Sequence, residues 1–316
     1  MRRRRSPSSG VDLGTTVGDV AFPNPIMMAS GVAGHGTELA SYLDLAALGA
    51  VVVKSLSAFE WNGNPAPRLH PVTAGMMNAV GLQGPGIARW RDEELPDLLA
   101  TGARIVVSIW GRSLEEYAEA AVLLQNLPEQ VVAVEVNLSC PNLRGKGMFA
   151  QSPDLAAEAM ATTAICGKPR WAKLTAAVTD LACVARAVSE AGAAAVTLIN
   201  TVPGLALDIE SRRPVLGNGP GGLSGPAIHP IAVKAVWDVH AALPHVPIVG
   251  IGGVASARDA IELMLAGACA VGVGTAVFAS PRLPVQILTD LSTWCAAHRV
   301  VSVRDLVGAA HPKEPT

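Results

Sequence analysis

No C-x-x-C pair occurs in this sequence, and its five cysteines, Cys140, Cys166, Cys183, Cys269 and Cys295, have no histidine at ligand spacing. An odd, dispersed set of this kind argues against a disulfide frame, a zinc site or an iron–sulfur cluster, and no metal is expected; reduced thiols and a cytoplasmic location are. Aromatic residues are scarce at 4% and charged ones make up only 16%, so the core must be built from alanine, valine, leucine and glycine. A hydrophobic half of the chain supplies ample material for it, unlike a disordered or fibrous protein. There is no basic surplus: the formal net charge is −2, which argues against nucleic acid as a partner. The one basic run, Arg2 to Arg5, leads into Ser6-Pro7-Ser8-Ser9 and reads as a disordered tail over residues 1–10. It has no apolar segment behind it as a secretory signal would, and no run is long and unbroken enough to span a bilayer.

What the chain does contain is a repeated rhythm. After a short hairpin expected between Val11 and Phe22, turned near Gly18 and Asp19, eight apolar runs alternate with helix-period segments. The runs are Ile26–Ala29, Ala50–Lys54, Ile105–Ile109, Val132–Leu138, Trp171–Leu174, Ala194–Ile199, Pro247–Ile251 and Ala270–Gly274. Helices are expected over Leu114–Leu127, Pro153–Ile165, Asp180–Ala191, Ile231–Ala242 and Ala257–Ala266, with Ser152, Thr179 and Ser256 as caps. Glycine repeatedly separates helix from the next strand, at Gly49, Gly192 and Gly267. Eight such units predict one closed (β/α)8 TIM barrel over residues 11–305, followed by a flexible tail over 306–316. Two stretches break the rhythm: Ser57–Leu99, rich in proline and glycine, and Val202–Pro226. Long insertions in a compact domain are commonly functional, and these two are expected to cover the carboxyl-terminal mouth.

In such a barrel the ligand site sits where strands end. The residues closing the eight strands are Ser30, Lys54-Ser55, Ser108, Asn137, Lys173, Asn200-Thr201, Gly252-Gly253 and Gly274-Thr275. Two lysines and two asparagines thus converge on one mouth, and buried charges need partners. Glycines after strands seven and eight let backbone N–H groups approach a phosphate. Cys140, in Val131–Gly147, follows the fourth strand directly. A free cysteine usually packs as a small hydrophobe, but this one lies between Asn137 and a glycine-rich basic loop, which makes it a candidate base.

The segments Met77-Asn78-Ala79-Val80-Gly81-Leu82-Gln83, Asn137-Leu138-Ser139-Cys140-Pro141-Asn142, Ile199-Asn200-Thr201 and Gly221-Gly222-Leu223-Ser224-Gly225-Pro226-Ala227 resemble the dihydroorotate dehydrogenases, nearest the class 1B catalytic subunits. The similarity runs from about Val11 to Phe278. It implies an FMN-containing barrel that oxidises dihydroorotate to orotate in pyrimidine synthesis. By matching motif, Cys140 would be the base, and Lys54, Asn78, Ala79, Val80, Gly81, Leu82, Asn137, Asn200 and Thr201 would bind the substrate. FMN would contact Ser30, Lys54, Ser55, Ser108, Asn137, Lys173, Ile199, Gly225, Gly252, Gly253, Gly274 and Thr275. The resemblance further implies a homodimer associated with an FAD/[2Fe–2S] subunit that passes electrons to NAD, since this chain has no cluster cysteines of its own.

A thiol pKa near 8.5 predicts activity that rises with pH. The loop Leu143–Phe149 is expected to close over substrate. Two positions depart from the family pattern: Ser108-Ile109-Trp110-Gly111, where asparagine is usual before a small-residue turn, and Thr175-Ala176-Ala177 in place of a Ser-Pro-Asn-like turn. A serine reaches less far toward the flavin. Other readings of the same residues are a flavin barrel of the tRNA dihydrouridine synthase or dihydropyrimidine dehydrogenase type, or a barrel without catalytic function.

Overall fold

The structure is a computed structural model that describes residues 10–139 and 148–312. Cys140, the glycines of the expected lid up to Gly147, and the arginine tail lie outside the described residues. Eight parallel strands close into a barrel in strict chain order. They are β1 (Ile26–Met28), β2 (Ala50–Val52), β3 (Ile105–Ile109), β4 (Val131–Asn137), β5 (Arg170–Lys173), β6 (Ala195–Leu198), β7 (Ile248–Ile251) and β8 (Ala270–Val273). All eight expected runs therefore form barrel strands.

The strand period of two explains how one short sequence serves two environments. Along β4, Val134 and Val136 join the layer between barrel and helices, while Ala133 packs in the interior with Met27, Val52, Val106 and Trp171. Glu135 and Asn137 share the phase of Ala133, so polar side chains at the carboxyl end of β4 point inward. Below them the interior is apolar. Trp171 is fully buried and meets Phe22 edge-on at 6.0 Å.

Phe22 comes from the hairpin of Thr15–Val17 and Val20–Phe22, which turns at Gly18-Asp19 as expected. Thr15 Oγ1 donates to the Cys269 carbonyl just before β8, so the hairpin closes the amino-terminal end of the barrel. The hairpin plugs the floor of the barrel, and the cleft opens at the opposite mouth.

Helices over Leu114–Leu123, Pro153–Thr162, Leu181–Glu190, His229–Ala242 and Ala257–Ala266 cover the barrel. Ser152 and Ser256 cap their helices. For the third, Asp180 rather than the expected Thr179 is the cap, accepting from the Cys183 N–H at 2.9 Å; its carboxylate stands at the position from which the third helical N–H can be reached.

One expectation gains detail and one is corrected. The two insertions share a fold of their own: Leu69–Val72 and Gly75–Asn78 from the first pair with Gly221–Ser224 and Val202–Gly204 from the second in one antiparallel four-stranded sheet. The first insertion also contains helices Ile87–Glu93 and Leu95–Ala100. The segment after residue 305 does not trail away through Pro312. Gly308 and Ala310 N–H groups bond to the carbonyls of Met264 and Leu265, and the His311 ring stacks on Trp237 at 3.7 Å. A buried carbonyl end of the Ala257–Ala266 helix needs donors, and this segment supplies them.

Candidate active site

The cleft at the carboxyl ends of the strands has a volume of about 500 Å³, within the range of small-molecule sites. Its floor rests on a chain of buried polar groups. Lys173 Nζ, at the end of β5, lies 3.5 Å from Glu135 Oε1 on β4, and Glu135 is 1% exposed. Ser108 Oγ donates to the same carboxylate oxygen at 3.1 Å and lies 2.8 Å from Ser55 Oγ. Asn137 Nδ2 donates to Ser55 Oγ at 3.1 Å, and Asn200 Nδ2 donates to Asn137 Oδ1 at 3.4 Å. Tyr117, on the helix outside β4, donates from its hydroxyl to the Asn137 carbonyl at 2.7 Å. Five strand ends are thereby locked in register by side chains. A buried carboxylate is stable here because an ammonium and a hydroxyl both serve it.

One side of the cleft is formed by the first insertion. The carbonyls of Ala79 and Val80 accept from the side chain and backbone of Asn64, and that of Gly81 accepts from Trp61 Nε1. Asn78 Nδ2 donates to the Gly222 carbonyl across the sheet at 3.2 Å. With its carbonyls held from behind, Asn78–Leu82 is a fixed wall, and Leu82 takes a left-handed backbone conformation (φ 61°) of the kind found at ligand clamps. Gly222 is required by proximity: a Cβ there would sit 2.0 Å from Thr201 Oγ1.

Lys54 rises from the end of β2 and donates from Nζ to the Gln83 carbonyl. Burial, then the charge of Arg68, lowers its pKa below 10.5. Behind it His35 is held down to about 4, by burial first and the Lys54 charge second. His35 is therefore neutral near pH 7, and Lys54 is the cation of this wall that lines the cleft.

The far end of the cleft is backbone. Gly252 and Gly253 follow β7 with φ of 139° and 69°, and Gly274 and Thr275 follow β8; all four line the cleft. At Gly253 a Cβ would collide with His229 at 2.6 Å, whereas at Gly274 the nearest atom is 3.8 Å away. Tight backing on one side and open space on the other let an anion approach the N–H groups. The cleft thus offers a cradle for a phosphorylated ligand at one end and amides and an ammonium for a small polar ring at the other.

A family profile described as dihydroorotate dehydrogenase matches residues 12–294. The chain belongs to the dihydroorotate dehydrogenase family. Among similar proteins, the dihydroorotate dehydrogenase B (NAD(+)) catalytic subunit of Geobacter sp. (strain M21) is 44% identical over 300 residues, covering 94% of this chain and 98% of that protein. The subunits of the same name from Geotalea daltonii and Desulforudis audaxviator are 45% identical over 300 residues and 43% over 303, each with 98% of its length covered. Dihydroorotate dehydrogenases are flavin-dependent oxidoreductases, and this chain is one of that kind.

Against the motif-derived expectation, the cleft brings together Ser30, Lys54, Ser55, Asn78, Ala79, Val80, Gly81, Leu82, Asn137, Lys173, Ile199, Asn200, Thr201, Gly225, Gly252, Gly253, Gly274 and Thr275. Ser108 is the correction. It is completely buried beneath Ser55 and does not line the cleft, because its short side chain ends at the Glu135 carboxylate. Thr175 likewise turns into its own loop, accepting from the Ala177 N–H at 3.1 Å. Of the expected lid, Met148 lines the cleft and Phe149 is buried edge-on against Tyr117 at 5.3 Å. Sequence reasoning missed Glu135, although a carboxylate in the apolar run V-V-A-V-E-V-N, in phase with Asn137, was a readable signal. It also missed Asn64, which sits in a turn-like W-N-G-N-P segment with nothing to distinguish it from an ordinary loop residue.

Proposed function

We propose that this chain is the FMN-containing catalytic subunit of a dihydroorotate dehydrogenase, oxidising (S)-dihydroorotate to orotate in pyrimidine biosynthesis. The observation that carries the reading is the convergence of Lys54, Asn78, Asn137, Asn200 and Thr201 on one cleft that ends in the Gly252-Gly253 and Gly274-Thr275 turns. Lys54 would pair with the substrate carboxylate, and the side-chain amides would hold the ring amide groups, each of which has both a donor and an acceptor to satisfy. The glycine turns would take the FMN phosphate, with Ser30, Ser55, Asn137, Lys173, Ile199 and Gly225 along the rest of the cofactor. FMN, when bound, supplies the two-electron acceptor for the hydrogen leaving C6.

Cys140, which follows Asn137-Leu138-Ser139 in sequence, would take the C5 proton as thiolate. Lys173, already paired with Glu135, supplies a fixed positive charge toward the cofactor and needs no rearrangement during reaction. Electrons would leave through a separate FAD/[2Fe–2S] subunit to NAD, consistent with the cysteine spacing and with the names of the relatives. A homodimer of this chain is part of the same reading. No helix among the described residues is long and apolar enough to cross a membrane.

The test is the variant Cys140→Ser. It should retain FMN, one per chain, while dihydroorotate reduces it about 10²- to 10⁴-fold more slowly than in the wild type. Reduction at the wild-type rate would remove Cys140 from the mechanism.

A further inference from the structure

His229 opens the Pro-containing helix His229–Ala242, yet it is nearly buried and both of its ring nitrogens are engaged. Nδ1 lies 2.9 Å from the Gly252 carbonyl, so this nitrogen carries the proton and donates. Nε2 lies 3.1 Å from Glu262 Oε2 and 3.9 Å from Asp259 Oδ1, both on the next helix, Ala257–Ala266. One imidazole therefore ties together two helices and the glycine turn between them.

The consequence for the turn follows from peptide geometry. A trans peptide points its N–H opposite to its carbonyl. With the Gly252 carbonyl held on His229, the Gly253 N–H points away from His229, and Gly253 itself lines the cleft. Gly252 and Gly253 both adopt positive φ, and glycine has no side chain to choose among the backbone orientations open to it. The turn thus needs an external contact to fix which way its N–H groups point. His229 also backs it sterically, since a Cβ on Gly253 would meet the His229 backbone nitrogen at 2.8 Å.

We infer that His229 is a positioning residue for the phosphate end of the cleft: by holding the Gly252 carbonyl it aims the Gly253 N–H at a ligand phosphate. The inference rests on the proposal that the cleft binds FMN, and the choice of probes separates the two. Full-length protein stripped of flavin is titrated with FMN and with riboflavin, which differ only in the phosphate. The wild type should favour FMN. His229→Leu removes the donor and should lose about tenfold of that preference, the scale of a mispositioned hydrogen bond to a charged group, with riboflavin affinity unchanged. His229→Asn places an amide N–H where Nδ1 stood and should restore most of it.

A preference for FMN that survives in His229→Leu would overturn the inference alone, as would a parallel loss of both flavins, which would mark a merely structural role. A wild type that binds the two flavins equally would overturn the phosphate assignment together with the inference.

Discussion

Lys54 illustrates how a single side chain is tuned by what surrounds it. Burial and Arg68 both disfavour its charged form, so it gives up its proton at a lower pH than a free lysine. A carboxylate substrate needs that charge. The profile of kcat/KM against pH should therefore rise as the Cys140 thiol ionises and fall again on an alkaline limb that begins below the ordinary lysine value of 10.5. Lys54→Met should raise KM and abolish the alkaline limb; a limb that persists in the variant belongs to another group. Glu135 is the complementary case, a buried carboxylate whose removal leaves a cation uncompensated. Glu135→Gln keeps the shape and the hydrogen bond from Ser108 but removes the charge opposite Lys173. The flavin midpoint potential should move to more positive values by on the order of tens of millivolts, because the reduced state gains most from the freed charge. An unchanged potential would mean that Lys173 does not act on the cofactor electrostatically.

At the scale of elements, the barrel strands were readable because each is a short, mostly apolar run closed by a polar residue or a glycine, and the interior alternation is visible in V-A-V-E-V-N itself. The sheet over the mouth was not. Its strands Leu69–Val72 and Gly221–Ser224 contain proline and glycine, and the pairing that joins the two insertions, Gly221–Ser224 with Gly75–Asn78, links segments far apart in the chain, so local propensity carries no sign of it. The docked segment after Leu306 was hidden for a related reason, since its hold depends on Trp237 and on the open carbonyls of a distant helix. The sheet also explains why the two insertions belong to one site: Gly222 lies against Thr201 and opposite Asn78. Gly222→Ala should push Thr201 aside and part the strands. The expected result is a KM for dihydroorotate raised roughly tenfold to a hundredfold with FMN retained, measured by steady-state kinetics and flavin absorbance. An unaltered KM would show that the sheet does not set the substrate wall.

The whole molecule is a barrel plugged at one end by a hairpin and roofed at the other by a sheet, and its polar residues are gathered where the chemistry would be. Most of the candidate site was legible in the sequence because strand ends in a barrel share one rim, so residues from Ser30 to Thr275 could be placed together before any contact was known. Ser108 escaped that logic: being at a strand end brings a residue to the rim, but only side-chain length brings it to the surface, and here Ser55 stands in front. Positioning groups such as Glu135 and His229 are harder to read, because their partners are fixed only by the fold. The central claim, that this mouth oxidises dihydroorotate, is tested most directly by mixing the purified flavin-loaded chain with dihydroorotate in the absence of oxygen and following the flavin absorbance. The flavin should bleach with formation of one orotate per flavin; a flavin that stays oxidised in excess dihydroorotate would rule that activity out.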